Sequence, residues 1–235
     1  MDSLSFVARY EEGDEECAER MLDDLEHLRL KLEDRFEEAP GGITVIIHPS
    51  SPWLSAAHPF LPAARFAAAP AGRRYLAGWA TIAELHTLND TALERRAAGE
   101  DSLRALLGTP LRLYAQLVLA ANNDRMPPPW GPRRFARYLR WAWLIEGGAQ
   151  YFSGQSASFR TAMLRRLAEG SEPSFPPSAR DAIILGGSVL ELLVARLPKA
   201  GPEAALETAF GAPIREVEPA WRDHVADLVG SAGRL

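Results

Sequence analysis

Five consecutive β-branched residues, Ile43-Thr44-Val45-Ile46-Ile47, stand between Pro40-Gly41-Gly42 and Pro49 and limit this chain to folds that bury a sheet. Side chains branched at Cβ are stiff and pack well on a pleated surface, and a short apolar run between breakers reads as a buried strand. Phe6-Val7-Ala8 with Tyr10 reads as a shorter first strand. Between the two, Cys17 to Phe36 carries Met21, Leu22, Leu25, Leu28 and Leu32 at helical spacing, which predicts an amphipathic helix. Glu11, Asp14, Glu15 and Glu16 cluster at its start, where acids favour the positive end of the helix dipole, so this charge run reads as a solvated face. The opening unit is therefore strand, helix, strand.

From Pro49 to Gly72 the Pro and Ala content rises and periodicity fades, which predicts loops with a short helix. Ala77 to Leu85 alternates loosely and is read as one more strand with edge character. Beyond it the pattern turns helical. Thr109 is read as an N-cap with Pro110 at the first helical position, and the helix running to about Ala121 is apolar nearly all round, the mark of a central helix. Pro127-Pro128-Pro129 forces a loop, Pro132 opens a long helix to about Phe152, Ser178 with Asp181 caps another, and Gly201-Pro202 opens a last helical pair. The fold class expected is α+β and helix-rich: a sheet-bearing lobe over 1–108 with helices packed on it, and a helical lobe over 109–235, in a single domain. At 235 residues and 47% hydrophobic the chain is long enough to bury such a core.

A net charge of −5 argues against nucleic acid as a partner, since phosphate-backbone affinity rests on Lys and Arg in excess. The single cysteine, Cys17, excludes an internal disulfide and reads as a small buried hydrophobe. The N-terminal MDSLSFVARYEEGDEE has neither the positive nor the apolar region of a secretory signal. Leu111–Ala121 and Ala182–Ala195 fall short of the roughly 20 apolar residues that span a bilayer, or carry a charge at Glu191. A soluble, cytoplasmic protein without a membrane partner is the expectation.

Trp143-Leu144-Ile145-Glu146-Gly147-Gly148-Ala149-Gln150-Tyr151-Phe152-Ser153-Gly154 resembles the W-L-x-E-G-x-A-x-Y-F-S-G signature of the peptidase MA family, the gluzincin-type zinc metallopeptidases. The order of elements is similar, as is the ending from Ala209-Phe210-Gly211-Ala212-Pro213 through Trp221, so the resemblance covers Phe6 to Trp221. It implies a zincin-like architecture in which the buried central helix bears H-E-x-x-H, two zinc-binding histidines one turn apart with a general-base Glu between them, and Glu146 is the third ligand. Along Leu113 to Ala121 the matching positions are Ala115 and Leu119 for the histidines and Gln116 for the base. The five histidines are His27, His48, His58, His86 and His224, so neither helix of the implied site can supply an imidazole. The resemblance thus implies a degenerate member that holds no zinc there and needs no cofactor, with Glu146, Tyr151, Tyr114 and Trp143 around a former cleft.

Glu146 reads chiefly as part of a structural hydrogen-bond network, with a role in a surviving cleft as the alternative. Arg133, Arg134, Arg137 and Arg140 on the same helix are candidate partners; with Tyr138, Trp141 and Trp143 they could instead form a stripe that binds an anion or a partner, although Arg on a wet face and Trp in the core is the simpler reading. His48 and His86 end predicted strands with no carboxylate or cysteine at a ligand spacing. Asn122, Asn123 and Asp124 read as C-cap and turn chemistry rather than as a cation site. No G-x-S-x-G elbow, P-loop or dinucleotide fingerprint occurs. The functional expectation is a pseudopeptidase that binds a peptide or protein segment, in the family along the edge strand matching Ala77 to Leu85. Two alternatives stand beside it: an active hydrolase with a rearranged site that uses Glu146, and a structural or assembly protein whose cleft is filled.

Overall fold

The computed structural model describes residues 1–58, 60–123, 132–196 and 214–232. The protein is helix-rich α+β with a four-stranded mixed sheet of order β1-β2-β4-β3, made of β1 (Phe6–Arg9), β2 (Ile43–His48), β3 (Gly78–Ala80) and β4 (Glu84–Leu88). β1 pairs parallel to β2 and β2 parallel to β4, while β3 closes antiparallel on β4. Parallel neighbours need a crossover, and α1 (Glu15–Glu33) supplies the one between β1 and β2.

Strand alternation divides the sheet into two faces. Phe6, Ala8, Ile43, Val45, Ile47, Leu85 and Thr87 share the deeply buried one. Met21, Leu22, Leu25, Leu28 and Leu32 of α1 are buried beside it, so the helical spacing read from sequence is the core face. The central helix, α6 (Thr109–Ala121), lies against β3, β4 and α1. Gly78 is required at that crossing, because a Cβ there would come 2.7 Å from the His86 carbonyl and from Leu113 Cδ1. On the opposite face, α2 (Ser51–Ala57) packs over β2 and β4, and α3 (Phe60–Ala67) follows it; Pro49 to Gly72 thus holds two short helices.

Ala77–Leu85 is not one strand. The chain reverses after Ala80: the Thr81 N–H donates to the Glu84 carbonyl at 2.8 Å, and the Thr81 hydroxyl accepts from the Glu84 N–H at 3.0 Å. β4 becomes an interior strand, and the edge on this side of the sheet is the three-residue β3, whose residues are all buried.

Beyond two short helices, α4 (Asp90–Glu94) and α5 (Glu100–Leu107), the helical part comprises α6, α7 (Pro132–Phe152), α8 (Arg160–Ala168), α9 (Ala182–Arg196) and α10 (Glu218–Ala232). α7 and α9 make the most extensive helix pair, and they approach so closely that Gly147 faces Gly186 backbone to backbone. Thr109 is the first residue of α6 rather than its cap, a position that Gly108 takes. Ser178 opens a turn whose carbonyl accepts from the Asp181 and Ala182 N–H groups, and α9 begins only at Ala182. The Asp181 side chain is engaged elsewhere, in a buried pair with Arg166. The Pro127–Pro129 loop, the pair expected after Gly201 and the segment Ala209–Pro213 lie outside the described residues.

Candidate functional site

Glu146 sits in the middle of α7, buried between that helix and α6. Its Oε2 accepts from Arg112 Nη1 at 2.6 Å, and the two residues are 3% and 2% exposed. Its Oε1 accepts from the Tyr138 hydroxyl at 2.9 Å. Arg112 Nη2 donates onward to the Tyr75 carbonyl at 3.2 Å. Burial and the neighbouring carboxylate hold the Tyr138 phenol well above its ordinary range, so it remains a donor. A carboxylate removed from water needs a compensating charge and filled lone pairs, and this cluster provides both.

The space beside Glu146 amounts to about 40 Å³, lined by Gly78, Trp79 and Ala80 of β3, Arg112, Leu113 and Gln116 of α6, and Tyr138. That is room for no more than a few water molecules. Of the three α6 residues that line it, Arg112 and Gln116 are one helical turn apart. Ala115 and Leu119, which the resemblance matched to the two histidines, are buried in the core and do not line it.

The other residues grouped with Glu146 in sequence are placed elsewhere. Tyr114 packs edge-on against Phe6 of β1 with ring centroids 5.1 Å apart, and its hydroxyl donates to the Pro40 carbonyl at 2.9 Å. Trp143 is a core residue beside Trp141. Tyr151 lines an open depression with Lys31, Asp34 and Arg35. None of the three aromatics that the resemblance grouped with Glu146 lines the space beside it.

Glu146 does not draw its described arginine partner from its own helix. The side chains of Arg133, Arg134 and Arg137 lie outside the described residues, and Arg140 lies over the Trp141 ring. Arg112 was overlooked in the sequence, although a single Arg inside an otherwise apolar helix is a signal that a buried anion faces it. Asn122 C-caps α6, and its amide clamps the Glu38 backbone, accepting from its N–H at 2.9 Å and donating to its carbonyl at 2.6 Å. Asp124 lies outside the described residues.

A second polar cluster went unrecognised because its members are far apart in sequence. His48 at the end of β2, His86 on β4 and His58 at the end of α2 meet on the sheet face under α2. His48 Nε2 is 3.1 Å from His86 Nδ1. The His58 ring stands nearly perpendicular to that of His86 at 4.0 Å and stacks on Trp79 at 5.6 Å. His86 Nε2 lies 3.3 Å from Glu84 Oε2. Burial, with the neighbouring imidazoles adding to it, pushes His48 and His58 down to about 4; burial also lowers His86, against the opposing pull of Glu84. All three shifts favour the uncharged ring. With the rings as they stand, no group of three or more His, Cys, Asp or Glu side chains among the described residues has the spacing of a preformed metal site.

Among the described residues no helix is long and apolar enough to cross a membrane. No protein-family model, curated protein or solved structure matches the chain.

Proposed function

We propose that this protein is a catalytically inactive relative of the gluzincin-type metallopeptidases, with its former cleft filled by its own side chains, and that it acts as a structural or assembly protein. One observation carries the reading: the Glu146 carboxylate, the third zinc ligand of the resemblance, is held by the Arg112 guanidinium at 2.6 Å and by Tyr138. A buried carboxylate needs a cation beside it, and Arg112 supplies permanently the charge that zinc would supply in a peptidase.

The lining of that space supports a comparison shifted by three residues. The α6 pair facing Glu146 is Arg112 and Gln116, spaced as the histidines of H-E-x-x-H are, with Leu113 where the base belongs. Neither Arg nor the Gln amide is a zinc ligand of the ordinary set, and Leu113 takes no proton. Peptide capture by strand addition is the weaker reading, because the edge is only Gly78–Ala80 and those residues are buried.

The shifted register provides the test. The variant Arg112→His/Leu113→Glu/Gln116→His restores the motif opposite Glu146. It is expected to bind one zinc equivalent more than the parent, and that equivalent disappears when Glu146→Ala is added. The parent is expected to cleave no peptide in a degenerate fluorogenic library with zinc present. Parent cleavage that Glu146→Ala abolishes would favour the rearranged hydrolase, and a folded motif variant with no extra zinc would remove the peptidase plan.

A further inference from the structure

His48, His58 and His86 come from three different elements, and their rings meet, with His48 Nε2 3.1 Å from His86 Nδ1 and the His58 ring edge-on to His86 at 4.0 Å. Glu84 Oε2 stands 3.3 Å from His86 Nε2, and the tautomer that donates to this carboxylate carries its proton on Nε2 and its lone pair on Nδ1. That lone pair points at His48 Nε2, 3.1 Å away. Two imidazole nitrogens bound to one tetrahedral zinc at about 2.0–2.1 Å stand roughly 3.4 Å apart, so the present spacing is close to that of two ligands once both rings tilt to aim their lone pairs at one point. His58 Nε2 is buried and makes no hydrogen bond. A buried imidazole nitrogen without a partner is costly, and metal coordination is one of the few ways to use it.

We propose that His48, His58 and His86 bind one divalent transition-metal ion of the zinc class, with Glu84 fixing the His86 ring through its distal nitrogen. The ion assembles the site. It takes the place of the hydrogen shared between His48 Nε2 and His86 Nδ1, the His48 proton moves to its own Nδ1, and His58 turns about its side-chain torsions to bring Nε2 to the ion.

Imidazole donors select zinc, cobalt, nickel or copper over the hard cations calcium and magnesium. A carboxylate behind a metal-bound histidine is a recurring support that sets ring orientation and raises ligand basicity. Three protein ligands leave a fourth position open, the arrangement of a reactive rather than a closed structural zinc. None of His48, His58, His86 and Glu84 holds Glu146 or lines the space beside it, so this inference does not depend on how Glu146 is read.

The test uses the full chain, stripped of metal and titrated with zinc and, separately, with cobalt at pH 7.5. One equivalent of zinc is expected to bind, and cobalt is expected to give the visible bands of a low-coordinate nitrogen site. His58→Gln and His86→Gln each weaken zinc at least about tenfold, and Glu84→Gln about tenfold, the usual cost of losing such a supporting carboxylate. His27→Gln and His224→Gln leave it unchanged. His58 is only partly buried, so its variant keeps the fold; matched urea midpoints with the parent verify this. Absence of stoichiometric zinc, or zinc affinity unchanged in folded His58→Gln, overturns the site. Peptidase assays play no part in this outcome, so its failure is separate from failure of the reading at Glu146.

Discussion

Arg112 of α6 and Glu146 of α7 are 34 residues apart in the chain and form a 2.6 Å ion pair almost wholly out of contact with water. The pair ties α6 to α7.

Breaking one side of this pair leaves an uncompensated buried charge. Arg112→Ala and Glu146→Ala are each expected to lower unfolding free energy by about 3–5 kcal/mol in urea denaturation. Arg112→Met with Glu146→Leu together should cost far less than either single change, since an apolar pair removes both charges at once. A double variant as unstable as the singles would sink the compensation account.

Gly147, in the signature-like stretch of α7, is a packing residue. A Cβ on it would run into the Gly186 carbonyl of α9, backbone against backbone, where no flexible side chain can yield. Gly147→Ala and Gly186→Ala are expected to cost about 1–3 kcal/mol or more through forced separation of the helices. Gly13, where an added Cβ meets nothing within 4 Å, lies instead at a positive φ of 96° and would report backbone strain alone.

Acid should act through the histidine trio. His48 and His58 titrate near 4 in the folded protein and near 6.5 when unfolded, so between these values the native state binds fewer protons than the unfolded chain. Their contribution to stability is therefore present above about pH 6.5 and is lost as the pH falls toward about 4. Urea midpoints compared between pH 7.5 and 4.5 should drop more for the parent than for His48→Gln/His58→Gln. Equal drops would show that the carboxylates alone carry the acid response.

Tyr114 is expected to behave as a core residue. Tyr114→Phe removes only the 2.9 Å bond to the Pro40 carbonyl and should cost about 0.5–1.5 kcal/mol by chemical denaturation, while zinc affinity stays at the parental value. A change in zinc binding would return Tyr114 to a functional site.

What the chain reveals locally and what it conceals divide along a physical line. The β-branched run at Ile43–Ile47, the apolar spacing of Met21 to Leu32 and the Pro132 start of α7 are legible because strand and helix periods are local properties. The absence of any imidazole from α6 and α7 is legible too, since it needs only composition. The turn at Thr81–Ala83 was hidden, because a Thr hydroxyl that accepts a backbone N–H looks in sequence like any strand residue.

Tertiary structure alone chose the partners. An α6 that is apolar nearly all round does not say that Arg112 and Gln116, rather than Ala115 and Leu119, line the space beside Glu146; the docking of α6 on α7 decides that. The register pairing Ile46 with His86 places His48 diagonally beside it, and α2 then carries His58 over both. Three histidines that were isolated along the chain become one cluster, because strand register and helix docking are fixed by packing over the whole core.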